Sequence, residues 1–156
     1  MKENYELMEH IYKDAEMASY TLTKLIRDLK DKDNKIKKTL EDIMKEYESW
    51  KNKAMKYLKK GKAEITDTSF FEKMMANMGI KKEVKCDNSD SAIAEMIIKG
   101  VSTGSTQMEK KIKAYDKEVD KSDIDVAREF LKFQEKTIDK LKAVSYTHLT
   151  LPTILR

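Results

Sequence analysis

The stretch IKKTLEDIMKEYESWKNKAMKY, residues 36–57, decides the fold of this chain. Its apolar and aromatic side chains recur at alternating intervals of four and three residues. The members of this row are Ile36, Leu40, Ile43, Tyr47, Trp50, Ala54 and Tyr57. Such spacing places every member on one face of an α-helix, whereas a half-buried strand would alternate every second residue. The stretch therefore predicts one long amphipathic helix.

A matching row precedes it in residues 8–29, MEHIYKDAEMASYTLTKLIRDL. The row consists of Met8, Ile11, Ala15, Ala18, Leu22, Leu25 and Leu29, and a side stripe adds Tyr5, Tyr12 and Ile26. A face this wide suits a helix that touches two neighbours in a bundle. The polar link at residues 31–34 is short, so the two helices are predicted to pack antiparallel, with Asp33 or Asn34 capping the second.

The second half of the chain predicts another pair of helices. One begins near residues 88–90 and reaches about Val119, with an eleven-residue repeat that favours a nearly straight course. Its buried set is Ile93, Ile97, Val101, Gly104, Met108, Ile112, Tyr115 and Val119. The next starts at Ser122, with Asp125 completing a box-like cap. Its apolar face is Val126, Ala127, Phe130, Leu131, Phe133, Ile138 and Leu141.

Composition narrows the class of protein. The chain has one proline and four glycines in 156 residues, which favours uninterrupted helices. Charged residues make up 38%, yet the formal net charge is only +4, which is unlike the basic excess of a nucleic-acid binder. A single cysteine, Cys86, excludes an internal disulfide and fits a reducing compartment. With no apolar run long enough to span a membrane, we expect a soluble cytoplasmic protein.

The end of the chain differs from the rest. Residues 144–153, VSYTHLTLPT, resemble the translation of a transposase adapter used in sequencing libraries, and they contain the only proline. We therefore expect one domain over residues 1–143, followed by an artefactual tail over residues 144–156, with the authentic C-terminus missing. A genuine short tail is the alternative.

The connection over residues 61–88 is too long to be a turn. Ser69-x-x-Glu72 forms a capping box and Gly79 supplies a stop, so the connection is predicted to carry one short helix. The apolar residues of that helix are Phe70, Phe71, Met74, Met75 and Met78. Exposed apolar patches of this kind mark contact surfaces, and we take these five residues as the candidate partner-binding site.

Hairpin, long crossover, hairpin is the layout of the ferritin-like four-helix bundle, which the chain resembles over residues 1–143. The resemblance implies an all-α fold and, in the family, a di-metal centre built from two Glu residues and two Glu-x-x-His motifs. This sequence departs from that motif. His10 is preceded at the required spacing by Leu7, and Glu46, Glu129 and Glu135 are followed by Ser49, Lys132 and Ile138.

Three polar residues near the apolar rows were weighed as sites. His10 could be a metal ligand or a pH switch, but we expect an exposed histidine. Asp14 and Glu46 could pair in a dry core as proton shuttles or as cation ligands. We expect both instead at the rim of the bundle, paired with lysines.

Other features favour packing over chemistry. Met75-x-x-Met78 with Cys86 offers soft ligands for Cu(I), but methionine also fills gaps and adapts to partners. The lysine clusters at residues 51–62 and 81–85 fit solvated helix ends. Gly100-x-x-x-Gly104 lies inside a helix, where two glycines cost about 2 kcal/mol relative to alanine. We predict that Tyr47 or Trp50 packs over these glycines. The alternative is a cavity in the middle of the bundle, or a local irregularity of the helix, that binds a ligand.

These observations predict a four-helix, ferritin-like bundle with no cofactor and no catalytic site. The expected function is non-enzymatic: a self-associating or partner-binding cytoplasmic protein whose interior is apolar. The alternative is a degenerate ferritin-like metal protein with carboxylate ligands such as Asp14 and Glu46.

Overall fold

The computed structural model describes the backbone of residues 2–60, 89–115, 117 and 119–154, and the side chains of residues 5–60, 89–115, 117 and 119–145. Within these ranges the chain is all-helical. The four helices are α1 Lys2–Asp28, α2 Lys37–Lys60, α3 Asp90–Tyr115 and α4 Lys121–Ile154. None of the helices in the described ranges is long and apolar enough to cross a membrane.

The apolar rows of α1 and α2 face each other and form the first half of the core. All members of both rows are buried except Ala18, Trp50 and Tyr57, which are half-buried. Leu29 N donates to Leu25 O at 3.0 Å, and Lys32 N donates to Leu29 O at 3.0 Å, so the chain turns tightly after α1. The predicted antiparallel pair of helices is confirmed, with Ser19 Oγ donating to Glu48 Oε1 at 3.1 Å across it.

Helix α3 begins where the sequence predicted. Ser89 Oγ accepts a hydrogen bond from Ala92 N at 3.2 Å, which caps the first turn. Asn34, a predicted cap of α2, reaches α3 with its side-chain nitrogen, where Nδ2 donates to Asp90 Oδ1 at 2.8 Å. The helix ends at Tyr115, four residues earlier than predicted, although Val119 N still donates to Tyr115 O at 3.2 Å.

Helix α4 packs along α3 and starts one residue before the predicted Ser122. The carbonyl of Asp120 accepts from Asp123 N at 3.0 Å and from Ile124 N at 3.2 Å, so the first turn is closed by the backbone. The helix continues through residue 143 to Ile154. Ser145 is buried, 3.5 Å from Ser91 Oγ. The adapter origin of residues 144–153 stays a prediction.

Aromatic rings join α2 to α4 near the middle of the bundle. Tyr47 meets Phe133 edge-on at a centroid distance of 4.8 Å, and Trp50 meets Phe130 edge-on at 5.3 Å. Edge-to-face pairs at these distances add to the free energy gained from burying the rings. One ring of each pair, Tyr47 in the first and Phe130 in the second, is fully buried, so the aromatic contact between α2 and α4 reaches into the centre of the core.

The helix directions follow from contacts near their ends. Tyr115 at the end of α3 donates a hydrogen bond to Glu6 near the start of α1, so α1 and α3 run antiparallel. Asp14 in the first half of α1 lies against Gly104 in the second half of α3. Lys35, just before α2, donates through its backbone N to Asp90 Oδ2 at 3.1 Å. The starts of α2 and α3 are therefore neighbours.

Residues 61–88 lie outside the described part of the chain. The predicted short helix, Cys86, the end of the first predicted lysine cluster and all of the second cluster at residues 81–85 fall there. The five candidate partner-binding residues, Phe70, Phe71, Met74, Met75 and Met78, fall there as well.

Candidate functional site

Polar side chains meet in the interior of the bundle, in contrast to the prediction of an apolar interior. We call the set His10, Asp14, Tyr47, Gly104 and Gln134 the polar centre. Helix α1 supplies the first two residues, and α2, α3 and α4 supply one each. Asp14 is 4% exposed and Gln134 is 0% exposed, so water does not reach the centre freely.

Gln134 links three of the four helices. Its Nε2 donates to Asp14 Oδ2 at 2.8 Å and lies 3.3 Å from the Tyr47 hydroxyl oxygen. One amide group therefore serves a carboxyl group from α1 and a phenol from α2. The amide oxygen, Gln134 Oε1, is buried and has no hydrogen-bond partner among the described residues. The hydrogen-bond network is therefore incomplete, and an unpaired buried acceptor lowers the stability of the fold by about 1–3 kcal/mol.

Gly104 makes room for the carboxyl group of Asp14. A Cβ atom built at position 104 would lie 2.9 Å from both Cγ and Oδ1 of Asp14 and closer still to Oδ2. Real Cβ atoms do not approach other heavy atoms this closely, so any larger residue at position 104 would displace the carboxyl group. The glycine that looked odd in the sequence of α3 is thus the complement of a buried acid on α1.

The prediction that His10 is exposed is wrong. His10 is 6% exposed, and its Nε2 lies 3.8 Å from Asp14 Oδ2 without a hydrogen-bond partner among the described residues. The pKa of His10 is lowered to about 4, mainly because the ring is buried and also because of the positive charge of Lys111, while a hydrogen bond with the Gly104 backbone opposes both effects. The imidazole is therefore neutral at pH 7, and its contact with Asp14 is not an ion pair.

The pKa of Asp14 is shifted upward, whereas that of His10 is shifted downward. Burial raises the pKa of Asp14 to about 7, while the hydrogen bond from Gln134 acts against this shift. The same buried surroundings and the Asp14 carboxyl raise the pKa of Tyr47 well above its ordinary value. A carboxyl group in this state can take up and release a proton near neutral pH, which is the property required of a general acid or base.

The rim prediction is wrong for Asp14 and right only in part for Glu46. Asp14 lies inside, because it belongs to the same broad face as Ile11 and Thr21, which are also buried. Glu46 is exposed on the surface, as a rim position requires, but no lysine pairs with it among the described residues. The structure therefore does not bring the two candidate carboxylates together.

A small cavity lies beside Asp14. It has a volume of ≈ 20 Å³, and Tyr47, Gly100 and Val101 are among the residues that line it. A single water molecule needs about 10–15 Å³ by this measure, so the cavity has room for one water and not for an organic substrate. The cavity predicted near the glycines is thus present but very small.

The packing prediction for the two glycines holds only in part. Tyr47 does line the small cavity together with Gly100. Gly104, however, lies against Asp14, and Trp50 packs on Phe130 and Phe133 of α4. The rings of Tyr47 and Trp50 both pack against α4, where Phe130 and Phe133 offer large apolar faces.

The donor atoms of the polar centre do not fit a ferritin-like metal pair. A two-metal centre needs several carboxylates from different helices, together with imidazoles. The centre offers one carboxyl group and one imidazole, both on α1. Among the described residues, no group of three or more His, Cys, Asp or Glu side chains could hold a metal ion.

Sequence reasoning missed Gln134, although a signal for it exists. Helix α4 carries a buried row at intervals of three and four: Ala127, Phe130, Gln134, Thr137 and Leu141. A polar residue in the centre of such a row has to find a hydrogen-bond partner inside the bundle. Asp14 similarly continues the row of Leu7 and Ile11. Reading these rows together would have predicted that the two residues meet.

Comparisons with known proteins do not assign the chain to a family. No protein-family model matches the chain. Neither a curated protein nor a solved structure matches it.

Proposed function

We propose that this protein is a non-enzymatic helical bundle that works through its surface, by binding a protein partner or a further copy of itself. The observation that carries the proposal is the enclosure of the polar centre. Asp14 has a pKa suited to proton transfer, but the adjoining cavity of ≈ 20 Å³ cannot admit an organic substrate. The polar centre therefore cannot act on an organic substrate, and this supports a function carried out by the surface of the bundle.

The proposed contact surface is the apolar segment predicted from the sequence. Two phenylalanines and three methionines follow Ser69 within ten residues, and methionine-rich apolar surfaces adapt readily to partners. The proposed location is the cytoplasm, which rests on the single cysteine of the chain.

Replacing Phe70, Phe71 and Met74 together with serine tests this surface. The molar mass of the full chain in solution is measured by light scattering, and binding to any isolated partner is measured in parallel. We expect loss of association or of partner binding, with an unchanged helix content in circular dichroism. The control is Met55→Ser, a half-buried methionine on α2. Unchanged association and partner binding in the triple variant would contradict the proposed contact surface.

We also propose a ferritin-like order of the four helices. What supports it is the neighbour relation between Asn34 and Asp90, which lie at the starts of α2 and α3. Helix α2 has 24 residues and is about 36 Å long, so the chain that leaves α2 at Lys60 has to return over that length before α3 begins. An up-down-up-down bundle would instead bring the start of α3 next to the end of α2.

Thiol crosslinking tests the helix order. In a Cys86→Ser background, the pair Asn34→Cys with Asp90→Cys should be joined by a bifunctional maleimide much shorter than α2. The matched pair, Lys59→Cys with Asp90→Cys, should not be joined, because Lys59 lies in the last turn of α2. Crosslinking of the second pair and not of the first would overturn the proposed order.

Elemental analysis tests the metal alternative. The proposal expects no stoichiometric iron or manganese in the purified protein. Either metal at one or two ions per chain, lost together with thermal stability in the variant Asp14→Asn, would contradict a non-enzymatic role for the bundle.

A further inference from the structure

One exposed face of α4 carries a row of five charged side chains, first acidic and then basic along the chain. Its members are Asp125, Glu129, Lys132, Lys136 and Lys140, and all five are exposed. Their spacing of four, three, four and four residues keeps them within one narrow stripe of the helix. The acids occupy the N-terminal part of the stripe and the bases the C-terminal part. We call this set the α4 stripe.

The α4 stripe borders a groove between α2 and α4. The groove has a volume of ≈ 510 Å³, and its walls include Glu46 and Ser49 of α2 and Lys136 and Lys140 of α4. The half-buried rings of Trp50 and Phe133 also line the groove. An apolar strip with charges on both sides has the composition of a small protein contact.

Most charges of the α4 stripe have no ion-pair partner among the described residues of their own chain. Glu129 is 3.9 Å from Lys53 Nζ in an exposed ion pair, and Lys53 also lies 5.0 Å from the centre of the Trp50 ring. In the described part of the chain, no carboxylate lies within ion-pair distance of Lys132, Lys136 or Lys140. Three neighbouring ammonium groups without acidic partners repel one another, and an acidic surface would relieve this repulsion.

We propose that the α4 stripe binds the α4 stripe of a second copy of this chain, with the two helices antiparallel. Read in reverse, the charges of Asp125, Glu129, Lys136 and Lys140 are complementary to those of the same four residues in the second copy, whereas Lys132 lies next to the two-fold axis. A two-fold axis between Lys132 and Phe133 places Asp125 opposite Lys140 of the second copy and Glu129 opposite Lys136. Lys132 then lies beside Phe133 of the second copy, where an ammonium group can contact an aromatic ring.

The strength of this contact follows from its size and composition. Residues 125–140 span about 23 Å of helix, so the buried area lies at the low end for specific interfaces. The attraction depends on exposed charges, which salt screens within about 10 Å at 0.1 M. The dimer is therefore weak and dissociates as salt increases. The proposal rests on the proposed function, because it adds a second surface for self-association beside the segment that contains Phe70, Phe71 and Met74.

Charge exchange on the full chain tests the proposal. Sedimentation equilibrium is run from micromolar to millimolar protein, at low and at high salt. Glu129→Lys alone and Lys136→Glu alone each turn two attractive pairs of the symmetric dimer into repulsive ones. Each should raise the dissociation constant about tenfold. The double variant Glu129→Lys with Lys136→Glu restores opposite charges across the axis, and it should restore the dimer. Lys142→Glu, an exposed position of α4 outside the stripe, is the control.

The outcomes separate this inference from the proposed function. Failure of the double variant to restore association would overturn the α4 contact, as would a monomeric wild type at low salt. If instead the wild type associates, the stripe variants change nothing and serine substitutions at Phe70, Phe71 and Met74 abolish association, the inference fails while the proposed function stands.

Discussion

A buried carboxyl group is the residue-level feature that distinguishes this bundle. Transfer of an ionised acid from water into an apolar interior is costly, and proteins respond by raising its pKa until the group becomes neutral. Asp14 follows this rule, with a pKa of about 7 and one hydrogen bond from Gln134 at 2.8 Å. Gly104 provides the space. These three residues fix how α1, α3 and α4 meet. A shift of one helix would remove the hydrogen bond to the Asp14 carboxyl group or the space that this group occupies.

The pH dependence of stability tests the state of Asp14. Its pKa is about 7 in the folded chain against 3.8 ordinarily, so this residue contributes stability that is lost as pH rises from about 4 through 7. The pKa of His10 is about 4 in the folded chain against 6.5 ordinarily, so its contribution rises with pH over about 4 to 6.5. The two slopes oppose each other below pH 6.5. The wild type should therefore lose stability mainly above that pH.

The variant Asp14→Asn removes one of the two slopes. We expect it to unfold with a free energy about 1–4 kcal/mol above that of the wild type at pH 8, because each pKa unit corresponds to about 1.4 kcal/mol. Its stability should fall on acidification below pH 6.5. Urea unfolding from pH 4 to pH 9 measures this. Asp139→Asn, an exposed position, is the control and should keep the wild-type profile. Equal destabilisation by Asp14→Asn at pH 5 and pH 8 would argue against the assignment.

Gly104→Ala tests the space that the carboxyl group occupies. Alanine gains about 1 kcal/mol of helix propensity, but its Cβ would overlap the acid, and overpacking costs about 1–3 kcal/mol. We expect net destabilisation in chemical unfolding. In an Asp14→Ala background the same change should cost less, or stabilise. A cost that does not depend on residue 14 would mean that the two residues do not touch.

At the level of the helices, the apolar rows were sufficient to predict most of the fold. The rows led by Met8 and Ile36 predicted α1 and α2, and their members are buried or half-buried. Helix ends were less predictable. Asn34 is a predicted cap of α2, and its side-chain Nδ2 also has a partner on another helix, Asp90 Oδ1 of α3, which local sequence does not reveal. Which residue on one helix meets which on another cannot be read from the period of a single helix. For this reason the pairing of Asp14 with Gln134 was missed.

The aromatic contact between α2 and α4 gives a prediction at this scale. Phe130 is fully buried, so Phe130→Ala should lower the free energy of unfolding by about 3–5 kcal/mol through the cavity it leaves. Phe133→Ala, at a half-buried position of the same helix, should cost clearly less. Trp50 is the only tryptophan and contacts both rings, so its fluorescence reports unfolding of this region directly. Equal costs for the two variants would contradict the placement of Phe130 at the centre.

For the molecule as a whole, the four helices bury a polar centre, and the cavity beside it has a volume of ≈ 20 Å³, which is too small for an organic substrate. Composition correctly indicated helices without strands over the described ranges, since glycine and proline are rare. It could not indicate the interior chemistry, because a single aspartate among 28 acidic residues carries no compositional signal. The interior is therefore less apolar than the sequence suggested, and among the described residues the polar centre offers one carboxyl group and one imidazole, too few for a metal pair.

The carboxyl ¹³C resonance of Asp14, followed through a pH titration by NMR, tests the enclosure of the polar centre most directly. We expect a midpoint close to pH 7, together with slow hydrogen exchange of the Gln134 side-chain amide that donates to this group. A midpoint near 4, as for an aspartate in water, would show that solvent enters the bundle and would contradict the burial of Asp14.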